Sequence, residues 1–194
     1  MEAQALQFQK LALILVQTVK SLQNYSRSLE ELNDQDLEKR LIAVMDIIGL
    51  KFTMPNNITV SIIKILVSIL INKIDSKKDF LIFRVLDIVE SMLGHVDTEI
   101  IQAVETDMFD YIKWCMVLIR TEQPLEIAER SLTSMKLICQ KMRQQSLYDI
   151  IPGVSSVVTK SLGGNHKSNQ KVKIKLLEIW ELILVPYFQS LKND

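Results

Sequence analysis

Apolar residues in this chain recur with the helical period of i, i+3, i+7, and the same triplet returns four times. The triplets are Leu41/Val44/Ile48, Leu86/Val89/Leu93, Leu132/Met135/Cys139 and Leu176/Ile179/Ile183, and their first members lie 45, 46 and 44 residues apart. Each triplet marks one buried face of a helix, because residues three, four and seven apart share a side at 3.6 residues per turn. A period of about 40–47 residues is that of stacked helical hairpins, in which no unit can cover its apolar face alone. The expected fold is therefore all-α, a right-handed α-solenoid of about four helical hairpins in one domain spanning 1–194.

Caps and breakers place the hairpins at about 3–50, 57–94, 98–144 and 146–191. A first helix runs from about Ala3 to Gln23. After Ser28 and Glu31, at capping-box spacing, a second starts near Asn33 or Asp34 and ends near Gly49. Pro55-Asn56-Asn57 restarts the chain with Asn57 as N-cap of Ile58 to Lys73, and Asp75 or Ser76 caps a return helix that stops at Gly94. Asp97 or Thr98 opens a short linker helix to about Thr106. Asp107 starts a longer one to Thr121, and Pro124 sits in the first turn of a helix ending near Gln144. Ser146 to Leu162 and Ser168 to Val185 form the last pair around the turn Gly163-Gly164-Asn165, with Pro186 breaking the helix beyond Val185.

Composition supports helices over strands. Only 5 Gly and 4 Pro stand against 24 Ile and 26 Leu, too few turn formers for many short strands. Ile is a weak helix former, so the helical reading rests on pattern prevailing over propensity. At 48% hydrophobic the chain is too apolar to stay disordered. The apolar run Ile58–Ile71 is interrupted by Lys64 and covers about 14 residues, short of the roughly 20 that span a bilayer. The run Leu11–Val16 is too short for a signal peptide. Cys115 and Cys139 lie in apolar helical runs and form no disulfide framework, which points to a reducing intracellular compartment, cytoplasm or nucleus.

Three segments carry the resemblance to a known family. Glu122–Leu132, Asp149–Val158 with its Ile-Ile-Pro-Gly-Val run, and Lys171–Ile179 resemble armadillo and HEAT repeats, most strongly over 107–185 and more weakly over 1–94. The resemblance implies a scaffold whose second helices line a concave groove that grips peptides or partner proteins. The Gly between the first two helices of an armadillo unit has no clear counterpart here, so armadillo and HEAT both stay open.

Charge adds two local features to a net charge of zero. Two residues before each triplet stand Lys39, Arg84, Arg130 and Ile174, with Arg40 and Lys175 one residue later in the first and last repeats. Such a row would make a basic lane along the groove, but ordinary solvated helix faces are the favoured account of it, and Asp46, Asp87, Glu178 and Glu181 dilute it. From Ile150 to Leu177 there is no acid, while Lys160, His166, Lys167, Lys171, Lys173 and Lys175 are present. This segment would suit phosphate or carboxylate, or serve only as a solubilising loop. It has no interleaved aromatics to support a nucleic-acid site.

No residue cluster has the pattern of a catalytic centre. His95 with Asp97, and His166, form no metal set, and Cys115 and Cys139 lack zinc-site spacing. No phosphate-binding Gly-rich loop or nucleophile elbow occurs, so neither a cofactor nor an enzymatic role is expected. The chain ends are unusually apolar for a solenoid, whose terminal helices normally carry a polar outer face. The last helix adds a second stripe of Trp180, Leu184, Tyr187, Phe188 and Leu191. That stripe packs internally, or meets a partner protein, a second copy or further repeats of a longer solenoid.

Overall fold

The structure is a computed structural model, and it describes residues 79–94, 96–120, 123–163 and 170–192 together with Gln17, Lys39, Ile42, Asn56, 59–61, 63, 64 and 67. The expected first hairpin, with its triplet Leu41/Val44/Ile48, lies outside the described residues apart from isolated positions, as do Arg40, His166 and Lys167. All regular structure among the described residues is helical, with no strand. The chain divides into two compact units, Met1–His95 and Val96–Asp194, and the boundary falls between the second and third expected hairpins.

In the first unit, Thr59, Ile63 and Val67 are buried at 3%, 6% and 3% exposure, whereas Ser61 and Lys64 are exposed. Residues four apart share one helix face, so the described positions of this run are helical with one side buried. Asn56 is helical, and Asn57, the N-cap expected there, lies outside the described residues. Helix α1 (Asp79–Leu93) buries Leu86, Val89 and Leu93, and on its flank also Leu81, Ile82, Val85, Ile88 and Met92. It stops at Gly94, whose N–H reaches the Glu90 carbonyl at 3.2 Å.

The second unit contains α2 (Thr98–Ala103), α3 (Glu105–Arg120), α4 (Leu125–Cys139), α5 (Gln144–Tyr148), α6 (Ile151–Gly163) and α7 (Gln170–Ser190). Helix α3 packs on α4, α4 on α7, α7 on α6 and α6 on α3, while α2 leans on α3 and α5 on α7. The two long pairs, α3/α4 and α6/α7, thus meet first helix to first helix and second to second. Tyr111, Ile112 and Cys115 of α3, Leu132 and Met135 of α4, Val154, Val157 and Val158 of α6, and Leu176, Ile179 and Ile183 of α7 fill the space between them. Gly153 permits the α3–α6 approach, since a Cβ there would lie 3.0 Å from Met116 Cε and 3.2 Å from its Sδ.

Three boundaries differ from the expectation, the first being that the helix expected to end near Gln144 stops at Cys139, with Gln144 opening α5. The segment 146–162 is not one helix, because it divides at Asp149–Ile150 into α5 and α6. Pro152 has no N–H to return to the Tyr148 carbonyl, which removes the hydrogen bond that would join the two segments, while its fixed φ suits the first turn of α6. Pro186, in contrast, does not end α7, which continues to Ser190. A proline inside a helix costs about 3 kcal/mol. Packing on both sides offsets that cost: Ile183 is 1% exposed, and Tyr187 meets Tyr148 edge-on with centroids 5.0 Å apart.

Polar contacts fasten the turn after α4 to the start of this unit. Lys141 Nζ donates to the Val96 carbonyl at 2.6 Å, and the Arg143 N–H donates to Glu105 Oε1 at 2.9 Å. Arg143 is the N-cap of α5 and Glu105 the first residue of α3. One carboxylate thereby steadies the α5 cap and also places negative charge at the positive end of α3.

Candidate functional site

Helix α7 positions every candidate residue of the second half except Arg130, and it carries apolar side chains on two opposite sides. Val172, Leu176, Ile179 and Ile183 face inward and are buried. Ile174 at 48% exposure, Leu177 at 42%, Val185 at 46%, Phe188 at 56% and Leu191 at 54% face solvent. With Glu181 and the half-buried Leu184, they occupy an arc of about 120° when each residue turns the helix by about 100°. Leu191 belongs with the helix, its N–H bonding the Tyr187 carbonyl at 3.2 Å. The outer stripe therefore runs from the first turn of α7 past its last residue.

This stripe differs in membership from the expected one. Trp180 and Tyr187 are half-buried flanking residues. Tyr187 is held between Tyr148 at 5.0 Å and Phe188 at 5.7 Å, and the indole Nε1 of Trp180 is buried with no hydrogen-bond partner. Leu184 and Phe188 are on the outer arc as expected, and Ile174, Leu177 and Val185 join them. A helical count onward from Ile174 would have found these three, had that position not been assigned to the basic row.

The lysines of α7 divide into two kinds. Lys175 Nζ donates to Thr133 Oγ1 at 2.9 Å and to the Glu129 carbonyl at 3.3 Å, so its charge is engaged within the fold. Thr133 Oγ1 donates its own proton to the same Glu129 carbonyl at 2.9 Å, which leaves its lone pairs for the ammonium. Beside it, Lys136 Nζ donates to Glu178 Oε2 at 2.7 Å, a second α4–α7 bridge. Lys171 is exposed and Lys173 half-exposed at the start of α7, and Lys160 is exposed near the end of α6.

Of the expected basic row, Lys39 is helical and exposed, and Arg130 is half-buried on α4. Arg84 is half-exposed and lies 3.8 Å from Asp87 one turn on. Ile174, the apolar member of that row, faces solvent as the register requires. Both cysteines are free and buried, and burial pushes the Cys139 thiol up to about 12, with a backbone hydrogen bond pulling weakly the other way. Among the described residues no group of His, Cys, Asp or Glu is placed to hold a metal ion, and no helix is long and apolar enough to cross a membrane.

No protein-family model, curated protein or solved structure matches this chain.

Proposed function

We propose that this chain is a non-enzymatic interaction scaffold of the armadillo/HEAT kind, a right-handed α-solenoid that binds a protein or peptide through its second helices and the outer face of its last one. The carrying observation is the outer stripe of α7: five large apolar side chains between 42% and 56% exposed on one arc of a single helix. Contiguous apolar surface of this sort on a protein otherwise well supplied with charge marks an interaction site more often than it marks chance. Aromatic side chains such as Phe188, with Tyr187 and Trp180 beside it, are the types that anchor interfaces. Pairwise packing of α3/α4 on α6/α7, first helix to first and second to second, supports the repeat reading. So do the buried triplets of α1, α4 and α7 at a spacing of 46 and then 44 residues.

Phosphate or nucleic-acid binding by the 160–175 segment draws less support, because Lys175 is bonded to α4 and only Lys160, Lys171 and Lys173 of its described lysines remain toward solvent. The test is affinity capture with the intact chain and with a Leu177→Asp/Phe188→Asp variant, checked by circular dichroism for an unchanged fold. Loss of specific partners from the variant is the expected result. Equal recovery of every partner refutes the reading, and capture that vanishes with added salt but survives the variant transfers the function to the lysines.

A further inference from the structure

The outer stripe of α7 has a finer order than a simple apolar patch. Ile174, Leu177, Glu181, Leu184, Phe188 and Leu191 succeed one another at steps of three, four, three, four and three residues. That is the alternation by which a helix presents one seam to a second helix, each seam residue entering a hole of the facing surface. Five of its six positions are apolar. The sixth, Glu181, is exposed and makes no hydrogen bond or ion pair with any described residue. Its neighbour Glu178 is already held by Lys136. A helix laid along this seam would remove Glu181 from water, and an unpaired carboxylate in an apolar layer is strongly unfavourable.

That single charge decides which occupant fits. A second copy in parallel would set Glu181 against Glu181. An antiparallel copy that covers the whole seam sets Ile174 against Leu191 and Leu177 against Phe188, and then Glu181 faces Leu184. Sliding the copies until Glu181 reaches Lys173 leaves Phe188 and Leu191 uncovered, and sliding toward Lys192 leaves Ile174 and Leu177 uncovered. Every self-pairing register thus forfeits either the charge or two of the five apolar seam residues. Resting on the interaction reading above, we infer that the outer face of α7 takes an amphipathic helix of a different protein, one with an apolar seam of about three heptads and a Lys or Arg in the layer opposite Glu181.

Two fluorescein-labelled synthetic helical peptides test this, each with Leu at the seam positions and identical except for a central Lys in one and Glu in the other. Titrating the full-length chain and following anisotropy, the Lys peptide is expected to bind at least about tenfold tighter, the scale of one well-placed charge pair in a covered layer. Glu181→Lys should reverse the preference and Glu181→Gln should abolish it, both at an exposed position where the fold does not depend on the carboxylate. Equal binding of the two peptides, binding of neither, or a preference unchanged in Glu181→Lys overturns the inference. So does a dimer of the intact chain in light scattering that Phe188→Asp dissociates, since a second copy would then be the occupant. If Leu177→Asp/Phe188→Asp loses its captured partners while the peptides are not discriminated, the interaction reading stands and the basic-helix inference alone falls.

Discussion

Ile174 and Ile179 lie on the same helix, five residues apart and on opposite sides, so replacing each by alanine tests the register on which the site depends. Ile179 is 0% exposed in the α7 face that packs toward α4 and α6, whereas Ile174 is 48% exposed on the outer stripe. Ile179→Ala deletes three buried carbons at about 0.8 kcal/mol each and leaves a cavity that neighbours refill only in part, for a total of about 3–4 kcal/mol. Ile174→Ala loses little buried surface and gains a few tenths of a kcal/mol from the better helix propensity of alanine, so its net effect stays within about 0.5 kcal/mol. Against an ordinary domain stability of about 5–15 kcal/mol, the first change is a large fraction and the second is invisible. Urea unfolding of the full chain reads the difference directly, because both tryptophans, Trp114 and Trp180, report from the second unit. A midpoint for Ile174→Ala lowered as much as that for Ile179→Ala, or a loss below about 1 kcal/mol for Ile179→Ala, would refute the two-sided reading of α7.

Other consequences are equally open to measurement. Gly153→Ala should be close to neutral, since about 0.5–1 kcal/mol of helix propensity is gained while the flexible Met116 tip moves a few tenths of an ångström. Gly153→Leu should lose about 1–3 kcal/mol by forcing α6 from α3, and thermal melts of the two variants decide it. Because the folded Cys139 thiol titrates near 12 and the unfolded one near 9.0, folding holds a proton that the unfolded chain gives up. Its contribution is therefore intact below pH 9 and falls by about 1.4 kcal/mol per unit above it. The stability gap between wild type and Cys139→Ala, measured in urea at pH 9 and pH 10, should shift against wild type by about 1 kcal/mol, because half of the unfolded thiols are already ionised at pH 9. Glu105→Ala should cost about 1 kcal/mol by uncapping the Arg143 N–H and removing the charge from the start of α3. Glu105→Gln should recover the part due to the hydrogen bond, and amide exchange of α5 should quicken in the alanine variant only.

The helical class and the sets of residues that share one apolar face were legible in the sequence because both are set by local geometry. Residues at i, i+3 and i+7 share a helix side whatever surrounds them, and Leu86/Val89/Leu93, Leu132/Met135/Cys139 and Leu176/Ile179/Ile183 are all buried. The stop at Gly94 and the opening of the short helix at Asp97–Thr98 also fall where the sequence placed them, although the Asp97 side chain makes no capping hydrogen bond and a Cβ at Gly94 would meet only ordinary contacts. Other features depended on neighbours distant in sequence. Pro186 remains inside α7 because Ile183 and the Tyr148–Tyr187 contact hold the helix on either side of it. Lys175, one of the expected binding lysines, is held by Thr133 and the Glu129 carbonyl, more than forty residues away. Above all, α7 bears apolar residues on two sides, and periodicity cannot choose between two apolar faces. Only the packing of α4 and α6 against one of them leaves Ile174, Leu177, Phe188 and Leu191 facing water with Glu181 among them. A sequence specifies which residues share a side of a helix, and the tertiary structure decides which of those sides is covered.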